Sequence, residues 1–198
     1  MSRAALATGA VCAVSLASVA LGAGANGLVP TPIGVGRGFH PPALSTRVAR
    51  RQRIDGMRCG ATSARRFGVH LELFARGLVV LVPAGVGVAP KWRTLRPQVL
   101  SGPCTYPART RTPTGVIEVL AGRRLTLAQF FEVWGQPLAL DRLAGFRAAR
   151  GDRVRAYVGG RLWRKDVRSI PLRRHAEIVL EVGRYVPPHS TYRFGMGL

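Results

Sequence analysis

Between residues 69 and 74 the chain alternates: Val69, Leu71 and Leu73 are separated by His70, Glu72 and Phe74, the period of a half-buried strand. Arg76-Gly77 supplies a turn, and the apolar run from Leu78 to Val82 predicts a second strand, stopped by Pro83. Residues 84–114 are rich in Gly and Pro and predict a long loop. Gly115 to Leu120 predicts a third strand, with Ile117 and Val119 on one face and Glu118 on the other. The period then changes. Leu127, Phe130, Phe131 and Trp134 recur at helical spacing and predict a short amphipathic helix over residues 127–134 whose aromatic face belongs to the core. Thr126 and Gln129 fit a capping box at its start, while Gly135 and Pro137 end it. Residues 138–151 show no clear period. Val154, Ala156 and Val158 alternate up to Gly159-Gly160, a hairpin-type turn, and Ile178, Leu180 and Val182 mark the last strand. The tail after Pro187-Pro188 predicts no regular element. Strands on both sides of one helix indicate a small α+β domain with an antiparallel or mixed sheet.

The first 54 residues follow other rules. Arg3 precedes an uncharged stretch from Ala4 to Ala23, and Ala23-Gly24-Ala25 has the small-x-small form of a cleavage site. Residues 1–25 therefore read as a signal peptide or, given about 20 apolar residues, an N-terminal membrane anchor. Cys12 lacks a lipobox. Residues 26–54, with four prolines and the basic run from Arg47 to Arg53, read as a flexible linker, and residues 55–198 as a single domain. Either reading of the N-terminus places the domain outside the cytoplasm, secreted or tethered. In that oxidising setting Cys59 and Cys104, 45 positions apart, are expected to form a structural disulfide worth on the order of 4 kcal/mol.

Charge adds the next constraint. Thirty Lys+Arg against nine Asp+Glu give a formal charge of +21, almost all of it arginine. A GC-rich coding sequence accounts for arginine over lysine but not for the scarcity of acids. Such an excess attracts polyanions in a salt-sensitive, largely unspecific way, so lipid headgroups and cell-wall polymers are the expected partners. Specific nucleic-acid binding conflicts with export and with the lack of a recognised module. The oligomeric state is not set by any of these features.

Catalytic patterns are absent: no G-x-S-x-G elbow, no H-E-x-x-H, no P-loop and no zinc-type cysteine spacing. Gly34, Gly36 and Gly38 mimic a phosphate loop, but no strand precedes them. His40, His70, His175 and His189 are scattered. His70 lies beside Glu72 on one strand face, where Glu118 can oppose it from another strand.

Several stretches carry a resemblance: Asp55-Gly56-Met57-Arg58-Cys59, Val82 to Gly87, Leu125 to Leu138, and Ile170-Pro171-Leu172 followed by His175 and Glu177 to Gly183. From Asp55 onward the chain resembles a poorly characterised family of exported bacterial proteins with the patterns H-x-H-x-H-L, C-x-Y-W-L-H-T-H-D, G-I-I-H-V and F-T-L-G-Q-F-F-D-V-W-G. That resemblance implies a histidine-rich, metal-binding centre. This chain departs from it where the histidines belong. Arg66 and Gly68 replace the first two, leaving His70; Arg109 and Arg111 replace the next pair; Thr112 stands for the Asp and Glu118 for the last His. Guanidinium has no acceptor to offer a cation. The expectation is a retained scaffold without its metal chemistry: no cofactor, no catalysis, and an anion or acidic partner held by Arg66, Arg109 and Arg111. The alternative is a metal-binding protein or metalloenzyme with a reduced set of His70, Glu118 and His175.

Overall fold

The computed structural model describes residues 46–60, 63–95 and 97–198. The proposed signal or anchor (1–25) and most of the proposed linker lie outside the described residues. No described helix is long and apolar enough to cross a membrane.

Order begins earlier than the sequence suggests. A single turn of helix, α1 (Thr46–Ala49), places Val48 in the core, and Ile54 is fully buried as well. The Tyr106 hydroxyl donates to the Gln52 carbonyl. The end of the segment read as linker is thus part of the domain, because two isolated apolar residues among arginines show no periodicity yet find a core to enter.

The central element is β1 (Arg66–Ala75). Its successors are β2 (Leu78–Val79), β3 (Arg93–Leu95), β4 (Gln98–Ser101), β5 (Ala108–Thr110) and β6 (Val116–Leu120). After the helix come β7 (Leu138–Ala139), β8 (Arg142–Leu143), β9 (Phe146–Arg147), β10 (Arg155–Val158), β11 (Arg161–Leu162) and β12 (Glu177–Val182). The main sheet runs β11-β10-β12-β1-β6-β5, with β2 also paired to β1. It is mixed: β1 and β12 are parallel, His70 opposite Glu177 and Leu73 opposite Leu180, while β6, β5, β10 and β11 are added antiparallel.

Three local expectations need correction. The second strand is two residues long; Val80 still donates its N–H to the Leu73 carbonyl, and Val80 and Val82 bury their side chains beyond it. Residues 84–114 are not all loop: β3 and β4 form a hairpin and β5 joins the main sheet. Residues 138–147 form a three-stranded meander, β7-β8-β9, whose two-residue strands are too short to show a period.

The helix α2 (Leu127–Trp134) forms as its sequence demands. The Gln129 backbone N–H donates to the Thr126 hydroxyl, and the Thr126 N–H donates to the Gln129 side chain. Gly135 closes the helix at φ 74°, in the left-handed region where a side chain would strain. Leu127, Phe130, Phe131, Val133 and Trp134 join Leu71, Leu73, Ile117, Val119, Ile178 and Leu180 in one core cluster. Gly159 and Gly160, both at positive φ, make the two-residue turn between β10 and β11. Cys59 and Cys104 are disulfide-bonded, and Gly60 and Thr105 beside them exchange two backbone hydrogen bonds.

Candidate functional site

The odd-numbered residues of β1 enter the core, so Arg66, Gly68, His70 and Glu72 share the opposite face. Directly paired residues in neighbouring strands share a face, and the register therefore adds Glu118 across from Gly68, Arg109 across from Glu118, and Glu177 across from His70. The main sheet, six strands wide, thus carries several buried charged residues on one side, interspersed with Val116, Val179 and Phe74. Glu181, held by Arg155, Tyr157 and Val186, is one of them, and two other clusters contain the residues that the sequence singles out.

Glu118 is the centre of the first. Arg109 donates from Nε and Nη2 to one carboxylate oxygen at 2.9 and 2.8 Å, and Arg111 donates from Nε to the other at 2.7 Å. Glu118 and Arg109 are both buried, whereas the Arg111 side chain is 45% exposed. Arg66 sits alongside with its own partners: Nη1 donates to the carbonyls of Pro107 and Glu118, and Nη2 to the Thr105 hydroxyl and the Tyr106 carbonyl. Its Nε is buried without a partner. Burial, and then the neighbouring charge of Arg109, bring the Arg66 pKa down to about 10, with Glu118 opposing them. Arg66 still carries its charge at neutral pH.

The structure brings Arg66, Arg109 and Arg111 together, as the anion-binding reading requires. It also shows that Arg109 and Arg111 already grip an internal carboxylate. An external anion at that point competes with Glu118, so the trio is a closed set rather than an open receptor.

His70 is the centre of the second cluster. Its Nδ1 lies 2.8 and 3.0 Å from the two Glu177 oxygens, and its Nε2 lies 3.0 Å from the Thr114 carbonyl. Both ring nitrogens therefore face acceptors. The Thr114 carbonyl can only accept, so a proton on Nε2 completes that contact. Burial raises the Glu177 pKa, while the hydrogen bond and charge of His70 pull it back.

The metal set considered from the sequence, His70, Glu118 and His175, is not assembled. Glu118 is bound by arginine, and the exposed His175 ring donates from Nε2 to the Leu198 carbonyl at 2.7 Å. The group that does come together is His70, Glu72 and Glu177, with one ligand atom of each within 4.8 Å of the others. Every His70 nitrogen in it is already hydrogen-bonded, and proximity of this kind is no evidence of a metal. Glu177 lies in the last strand, so its role beside His70 was invisible without the parallel register.

The C-terminal tail covers part of this face. Tyr192 stacks on His70 at 3.7 Å between ring centroids, and Phe194 stacks on His175 at 4.8 Å. The His189 Nδ1 lies 2.8 Å from Glu72, and the Val186 N–H donates to Glu181. Gly68 makes the seat: a Cβ added there would lie 2.5 Å from the Phe194 ring, too close for any side chain unless the ring moves. Of the three described histidines, His70 and His175 touch the tail and His189 lies in it.

A third feature lies at the edge of the polar face. A cavity of about 860 Å³ opens where the segment from Arg53 to Gly60, the start of β1 and the turn after β6 meet. Arg53, Arg58, Arg66, Arg123 and Arg124 line it, with Asp55 as the one carboxylate. Of these, only Arg66 stood out in the sequence. The doublet Arg123-Arg124 and the basic run ending at Arg53 were legible as charge, but only the fold places them around one space. No family model matches the chain, and neither a curated protein nor a solved structure corresponds to it.

Proposed function

We propose that this protein is a non-catalytic domain of the cell envelope or exterior that holds an acidic surface or polymer through arginine. One observation carries the reading: the acids that would neutralise the arginines are already used. Glu118, Glu181, Asp141 and Asp152 sit in ion pairs with arginine, and Glu72 and Glu177 are hydrogen-bonded to histidine, so six of the nine acids have a partner within the domain. The exposed guanidinium groups therefore project charge outward with little local compensation. The Cys59–Cys104 bridge supports an oxidising, extracytoplasmic setting.

The test is partition of the full chain between buffer and vesicles of anionic or neutral phospholipid. Tight binding to anionic vesicles that falls steeply as salt rises supports the reading. Equal binding to both vesicle types would end it, as would binding that survives ~1 M salt, where the Debye length is only about 3 Å.

A further inference from the structure

The cavity beside β1 joins two properties rarely found together, high positive charge and a rigid frame. Arg53, Arg58, Arg66, Arg123 and Arg124 line about 860 Å³ in which Asp55 is the one carboxylate among the lining residues. Surface arginines usually point apart into water, where their repulsion is screened. Here one of them, Arg66, is only 8% exposed and has a buried Nε without a partner. Glu118 offsets that charge only in part, since burial and Arg109 still bring the Arg66 pKa down to about 10, so a further anion beside it is favourable. The frame comes from the neighbouring bridge. Cys59–Cys104 and the paired Gly60 and Thr105 lock the segment carrying Arg58 to the one leading into β5. Met57, Leu120 and Leu125 add apolar wall, which strengthens any ion pair formed inside.

The size and charge select the guest. Arginine forks match the paired oxygens of phosphate and carboxylate. The volume falls within the range of about 300–1,000 Å³ typical of small-molecule sites and far exceeds the space one phosphate needs. We propose that this cavity is a binding site for a compact ligand bearing two or more oxyanion groups, phosphate or carboxylate, on one chain. The proposal rests on the charge-based reading above and gives it a defined receptor, distinct from the closed Glu118 cluster.

Calorimetric titration of the full chain with inorganic tripolyphosphate, and separately with citrate, tests it at constant ionic strength. The expected result is saturable binding at one site per chain, with the tighter probe showing which oxyanion the site prefers. Arg66→Met risks the fold, because Arg66 also ties together four oxygens of the chain. The decisive variant is therefore Arg123→Ser/Arg124→Ser, on an exposed turn. Its charge-matched control is Arg150→Ser/Arg161→Ser, two exposed positions outside the cavity lining. The cavity variant is expected to bind at least tenfold more weakly while the control binds like the unmodified protein. Equal weakening in both, or binding that never saturates, overturns the proposal. Vesicle binding reads the broader claim separately: if it persists while the two double variants remain indistinguishable, the defined site fails and the charge-based reading stands.

Discussion

The two faces of the central sheet solve opposite problems. Under α2, side chains such as Phe130, Leu71 and Ile178 are buried with no need for a specific partner, and shape alone decides the fit. On the opposite face, Glu118, Arg109, His70 and Glu177 are buried almost as deeply, but each requires a named partner in the right protonation state. The apolar face is held by volume. The polar face is held by pairing, so its weaknesses come in couples.

That contrast predicts different mutational signatures. The largest loss is expected from Phe130→Ala, which empties a fully buried site on the apolar face and should cost about 3–5 kcal/mol in urea unfolding. A loss below ~1 kcal/mol would mean that the helix is not seated as described. On the other face, Glu118→Leu strands Arg109 and should also cost roughly 3–5 kcal/mol, with much of it recovered by adding Arg109→Leu. Arg111, partly exposed, can turn to water. If the double variant is no more stable than the single one, the polar layer does not consist of separable couples.

The smallest effect is a change of slope. Burial raises the Glu177 pKa above its ordinary 4.5. The folded state therefore holds that proton more tightly than the unfolded chain does. The resulting stability is fully present below 4.5 and is lost as pH rises through the folded value. Measured against Glu177→Gln, the unmodified protein should lose relative stability as pH is raised from acid towards neutral. A relative stability that climbs over that interval would show that pairing with His70 outweighs burial.

How much was readable in advance follows the same division. The helix over residues 127–134 was legible to the residue, because cap, period and stop signal are all local. So were the inward faces of β1, β6 and β12, where alternation alone identifies the buried side. The strands β7 to β9 were not, since two residues cannot display a period. The polar couples were legible as residues but not as couples. His70 was noticed, yet Glu177, its partner 107 positions away, depends on a parallel register that no local pattern encodes. The sequence reading singled out Arg66, His70, Arg109, Arg111 and Glu118 one by one, and the sheet register places positions 66, 70, 109 and 118 on one face. What it did not foresee is a tail lying over Gly68 and His70.

The parallel pairing of β1 with β12 also sets a schedule. In the order β11-β10-β12-β1-β6-β5, the strand that comes after all the others in the chain stands in the middle. Until Glu177 to Val182 has been synthesised, the β10–β11 hairpin has nothing to join, and one edge of β1 stays open. The chain thus cannot close its sheet until residues 177–182 have been synthesised. That delay leaves the earlier strands incompletely paired in the meantime. Its cost falls on truncated products, which expose an apolar strand edge and are the ones expected to aggregate.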